Sequence, residues 1–246
     1  IADWLPALKS HNYRLYFFGQ GVSLVGTWMA AVAQQWLLYP TLTNNKSLLG
    51  VASAVNAVPT IALLLFAGVI ADRTDRRVGV LIQQILYAFV TFTLFFLVSS
   101  GTIQVWHVFV ATFLAGAVFA FDMPTRQALM IELVDKKHIA SAIALNTGIF
   151  NTARVIGPTV AGLLIASVGI APAFFINGVS FIAVIASVLL INIPRYIKIE
   201  QSGSVWEQFK GGALYIREHQ QIWIPLLILF LLSLSTGSLV TFLPVF

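Results

Sequence analysis

The 246-residue chain contains no cysteine. This excludes disulfides, thiolate metal sites and a cysteine nucleophile. Charge is also scarce: 9% of the residues are Asp, Glu, Lys or Arg, against roughly a quarter in a soluble domain. So few charges cannot cover a water-facing surface, and a hydrophobic share of 59% leaves lipid to cover most of it. No secretory leader is recognisable, because Asp3, Lys9, His11 and Arg14 precede a long apolar run without a short-core cleavage pattern. No G-x-x-x-x-G-K-[ST] loop occurs, so ATP is not the evident energy source and no cofactor is expected. His11, His107, His138 and His219 fall at membrane edges or in loops, with no H-E-x-x-H and no Ser-His pair at useful spacing. That argues against an intramembrane enzyme and against a metal site.

What the chain does have is long apolar runs. A hydrocarbon core of about 30 Å takes roughly 20 apolar residues per helix. Runs of that size occupy 15–40, 47–71, 78–99, 104–123, 141–167 and 171–192, and a seventh opens near Trp223 and reaches Phe246. The sequence therefore predicts an all-α membrane protein. Residues 1–192 form a six-helix bundle, 193–222 a linker with a short amphipathic helix, and 223–246 the start of a further bundle. In the linker, Trp206, Phe209, Ala213 and Ile216 recur at helical spacing. The joints within the bundle are short, so neighbouring helices run antiparallel.

Basic residues orient the bundle. With the N-terminus in the cytoplasm, inside segments hold twelve: Lys9, Arg14, Arg73, Arg76, Arg77, Arg126, Lys136, Lys137, Arg195, Lys198, Lys210 and Arg217. The outside joints hold only Lys46. This topology explains the net charge of +5 without a nucleic-acid partner. The one remaining basic residue, Arg154, lies within a span.

Polar side chains mark the spans unevenly. Gln20, Ser23, Thr27 and Gln34 share an arc of the first helix, and Ser53, Asn56 and Thr60 share one of the second. Gln84, Tyr87 and Thr91 lie in the third, Asn151 and Arg154 in the fifth, and Asn177 and Ser180 in the sixth. Singly, each amide is explained by an interhelical hydrogen bond. Together they predict a water-accessible interior lined by Thr27, Gln34, Asn56, Asn151, Arg154 and Asn177. A mid-span arginine costs about 2.5–3.5 kcal/mol on the insertion scale, so Arg154 is expected to face that interior and an anionic or hydrogen-bond-accepting ligand. Gly157-Pro158 is a kink and close-packing element within the same helix.

The joint Gly68-Val69-Ile70-Ala71-Asp72-Arg73-Thr74-Asp75-Arg76-Arg77 resembles the loop signature G-x-L-A-D-R-x-G-R-R of the major facilitator superfamily. Ile70 stands for leucine and Asp75 for glycine. The stretch at Gly157-Pro158 is similar to the fifth-helix signature of its exporters, with Ala161 in place of a glycine, whereas the fourth-helix signature with its arginine is absent. Asn12-Tyr13-Arg14-Leu15 with Phe18-Gly19-Gln20, Gly26-Thr27-Trp28, Phe121-Asp122-Met123-Pro124 with Arg126-Gln127, and Asn146 through Pro158 resemble the enterobactin-exporter and macrolide-efflux subgroup. The resemblance implies twelve helices in two six-helix bundles, of which this chain is the first bundle, the linker and part of helix seven. It also implies a conformational switch at Gly68, Asp72, Arg73, Arg76 and Asp122, these charges clustering at the cytoplasmic rim.

The function expected is secondary active export of a small organic molecule, siderophore or drug-like, coupled to protons and working by alternating access in the bacterial inner membrane. The partners expected are the substrate, protons, the lipid bilayer and a C-terminal half. A non-transporting membrane scaffold or sensor is the alternative, and flux separates the two.

Overall fold

The computed structural model describes residues 5–192, apart from the side chains of residues 65 and 72, and then residues 221, 223–225, 227 and 228. The linker and the seventh run lie outside the described residues except for those few helical positions. Six helices make up the bundle: α1 His11–Trp36, α2 Ser47–Arg73, α3 Arg76–Ser99, α4 Val105–Glu132, α5 Ile139–Val168 and α6 Ala171–Leu190. Each is long and apolar enough to cross a bilayer. A short 3-10 turn, Pro6–Lys9, leads into α1, and an irregular turn, Leu37–Leu42, follows it.

Local chemistry sets the helix starts at one rim. Ser10 caps α1, its Oγ accepting from Tyr13 N and donating to Leu133 O. Asp75 caps α3, its Oδ1 accepting from the amides of Arg77 and Val78. Asp75 replaces a signature glycine at no conformational cost, because its φ is −63° and the turn needs no left-handed residue. Arg77 reaches across to the end of α6, donating to Val188 O and Leu189 O, which helix geometry leaves without intrahelical partners.

The packing is between helices distant in sequence. α1 packs on α5 and α6, α4 on α2 and α3, and α3 on α6. Exchanging α1–α3 for α4–α6 maps this set of contacts onto itself. That is the pattern of two three-helix repeats, and an odd number of crossings per repeat inverts one against the other. The core divides into two apolar clusters. Tyr13, Tyr16, Leu129 and Val188 fill the rim that holds Ser10 and Asp75. Met29, Leu37, Leu94 and Phe174 fill the opposite end.

α2 and α5 flank the bundle. Both expose most of their residues, whereas about half of α6 is buried. Each flanking helix is seated by a glycine. A Cβ at Gly157 would lie 2.5 Å from Trp28 Cβ and 3.0 Å from Val25 O, and one at Gly116 would overlap Asn56 O. α5 continues as one helix through Pro158.

One boundary differs from the sequence expectation. The apolar run expected over 104–123 is part of a longer helix, since α4 runs through Pro124 to Glu132. Within this extension Arg126 pairs with Asp122, one turn earlier.

Candidate functional site

Arg154 is exposed on α5, its guanidinium carbon 5.7 Å from the centre of the Trp28 ring on α1. Phe150, one turn earlier on α5, meets the same indole edge to face at 5.7 Å. The close seat of α5 on α1 at Gly157 brings these groups together. Arg154 makes no hydrogen bond or ion pair with any described residue, so its donors stay available. Asn151, three residues earlier on α5, is exposed and donates to Thr147 O of its own helix, and Thr27, next to Trp28 on α1, is exposed as well. The patch offers one cation, two aromatic rings and small polar groups, a set suited to a planar or carboxylate-bearing ligand.

The other residues expected to line the interior are placed differently. Gln34 Nε2 donates to Thr112 Oγ1 at 2.7 Å, joining α1 to α4 rather than approaching Arg154. Asn56 Nδ2 donates to Thr112 O, joining α2 to the same point. Asn177 is 4% exposed and accepts from Ser180 Oγ, where Gly26 lets α1 close on α6. These three make contacts between or within helices of the bundle. An arc of polar residues gives their angular position but not which neighbour covers them, and the glycines beside the arc draw α6 over part of it.

The switch charges separate into two groups. Arg76, at the start of α3, pairs with Glu132, the last residue of α4. Asp122 lies ten residues before Glu132, about 15 Å along the helix, and is not Arg76's partner. Glu132, which is not among the residues expected at the switch, is the acidic group that meets Arg76. Gly68 and Arg73 lie near the end of α2, and Asp72 is in the same turn, its side chain outside the described set.

Asp122 belongs to a buried polar cluster. Arg126 Nε donates to both carboxylate oxygens, at 2.7 and 2.6 Å, and Gln84 Nε2 of α3 donates to Oδ1 at 3.2 Å. Tyr16 of α1 and Tyr87 of α3 are within electrostatic reach of the pair. The four-residue spacing of Asp122 and Arg126 carried the signal, but Arg126 was assigned to the joint.

A cavity of about 520 Å³ opens at the rim between the Pro6 turn and α5. Phe17, Leu145, Gly148 and Ile149 are among its mostly apolar lining, and none of the residues predicted to meet substrate borders it.

Comparison with known proteins agrees with this architecture. Residues 2–246 match the family described as transmembrane secretion effector. The chain is 27% identical over 225 residues to an uncharacterized MFS-type transporter, YkuC, of Bacillus subtilis, covering 88% of this chain and 52% of that protein. It is 28% identical over 236 residues to the staphyloferrin A transporter of Staphylococcus aureus, covering 94% and 58% respectively. It is 26% identical over 219 residues to a Na(+), Li(+), K(+)/H(+) antiporter of Planococcus maritimus, covering 86% and 47%. The chain thus spans about half the length of the curated relatives it matches. These are transporters rather than enzymes, and the chain belongs to the transmembrane secretion effector family of the major facilitator superfamily.

Proposed function

We propose that this bundle is one half of a proton-coupled exporter of a small organic molecule, working by alternating access in the bacterial inner membrane with its N-terminus in the cytoplasm. The observation that carries the reading is Arg154, an exposed cation mid-span on a flank of the bundle. Lipid is a poor cover for it, because a charge at that depth is costly and far from either interface. A second bundle against α2 and α5 would enclose Arg154, Trp28, Phe150 and Thr27 in a wet cavity, where the guanidinium meets a carboxylate or phenolate of the substrate. The exposed α5 residues Gly148, Thr152 and Thr159 are small and suit close helix packing there.

The latch of this reading is at the rim. Arg76 and Glu132 are partly exposed, at 23% and 32% of their side-chain surface. Such a pair contributes about 0–1 kcal/mol, a bias that rocking between two states can overcome. Gly68, Asp72 and Arg73 end α2 at the same rim and would complete the latch against the other half.

The test is export by cells expressing the full chain, given a carboxylate siderophore, a macrolide and an organic cation in turn, with and without a protonophore. Export of one class that collapses with the proton gradient supports the reading. Export that ignores the gradient removes proton coupling, and no flux of any probe favours the scaffold alternative.

A further inference from the structure

Asp122 has no place in the rim latch, and its surroundings give it another use. Among the described residues it is the one carboxylate in the buried set, 6% exposed. Its ion pair is incomplete: Arg126 Nη1 is buried with no hydrogen-bond partner among the described residues, and so is Gln84 Oε1. Both atoms belong to side chains that already hold the carboxylate. An unpartnered buried polar atom costs about 1–3 kcal/mol unless water or another group meets it. The cluster therefore has unused donors and acceptors at its centre.

A polar line leads away from it. Tyr16, Gln20, Ser23 and Thr27 lie at i, i+4, i+7 and i+11 on α1, within one narrow arc. Tyr16 is at the carboxylate's level, and Thr27 adjoins Trp28 of the cation patch, about 17 Å along the helix. Tyr16, Gln20 and Ser23 are buried, Gln20 Oε1 is unpartnered among the described residues, and Thr27 is exposed. An apolar face would have sealed α1 against its neighbours at less cost.

We infer that Asp122 is the proton-binding carboxylate of this bundle, exchanging protons with the Arg154 cavity along the Tyr16–Gln20–Ser23–Thr27 face of α1. The inference rests on the proton-coupled reading above. The proton bonds to a carboxylate oxygen of Asp122 and Arg126 keeps its charge. Its guanidinium then turns from the neutralised acid toward an unused acceptor such as Gln84 Oε1. The titratable or charged groups facing Asp122 are Arg126 on its own helix, Tyr16 from α1 and Tyr87 from α3. Loading would thus change the contact of α4 with α3, which Gln84 makes.

The test is infrared difference spectroscopy of the full chain in lipid during a pH titration, with the proton as the only ligand. The carbonyl stretch of a protonated carboxyl is expected on acidification. It should vanish in Asp122→Asn, move in frequency in Asp122→Glu, and persist in Glu132→Gln. Asp122→Glu keeps the experiment decisive if Asp122→Asn fails to fold. A band unchanged by either Asp122 substitution, or no such band in the wild-type chain, overturns the assignment. Gradient-driven export by the wild-type chain, alongside a band indifferent to Asp122, overturns the site and leaves proton coupling standing.

Discussion

The guanidinium of Arg154 on α5 lies over the indole of Trp28 on α1, 5.7 Å from the ring centre, at the crossing where Gly157 lets the two helices close. This couples a packing feature to a chemical one. The stack holds the cation's long side chain in place while leaving its donors free, so a ligand need not order it.

Arg154→Ala should lower export roughly tenfold or more at matched protein level, because a charge-assisted hydrogen bond contributes about 1.5–3 kcal/mol. Arg154→Lys keeps the charge but loses the planar fork and part of the stack, and should fall between. Accumulation assays on cells expressing each variant make the measurement. Normal export by Arg154→Ala would assign the residue a structural role.

Gly157→Leu should separate α5 from α1, since even a Cβ at this position meets Trp28 Cβ and Val25 O. Overpacking of this kind costs about 1–3 kcal/mol. The expected result is a lower unfolding temperature in detergent together with lost transport. Gly162→Ala, on the same helix with no atom within 4 Å of the added Cβ, should leave both unchanged.

Much of the fold is legible in the sequence, because apolar run length and the placement of basic residues are direct consequences of the bilayer. The site is less so. The polar arc on α1 was visible, but covering helices decide whether such a residue is buried, as Gln20 is, or open, as Thr27 is. Arg126 was read as a joint residue because charge marks the end of a span unless a partner is one turn away. Glu132 was invisible as a switch residue because its partner, Arg76, lies 56 positions earlier. Nothing in the sequence pairs Trp28 with Phe150, because the packing of α5 on α1 at Gly157 brings them together.

Gln34→Leu should have little effect on export, since its amide joins Thr112 within the bundle and such bonds contribute about 0.6–2 kcal/mol. A modest drop in thermal stability is expected. A loss of export as large as that of Arg154→Ala, with stability retained, would return Gln34 to the substrate path.

Arg76→Glu should weaken the rim latch by opposing Glu132, and the exchange Arg76→Glu with Glu132→Arg should restore it. The readout is export at matched expression, with recovery in the double variant as the expected result. No recovery would mean that Arg76 acts through another group.

The central claim, that the Arg154 face lines a water-filled path, is tested most directly by thiol accessibility. The sequence has no cysteine, so single cysteines can be placed on a silent background. Asn151→Cys lies one turn from Arg154 and Thr27→Cys adjoins Trp28, while Ile182→Cys on α6, 50% exposed, serves as the lipid-facing control. In native membranes carrying the full chain, the first two should react with a membrane-impermeant thiol reagent and Ile182→Cys should not. If Thr27→Cys and Asn151→Cys stay as unreactive as Ile182→Cys, the face is covered by lipid or packed protein, and the account of Arg154 as a cavity residue is contradicted.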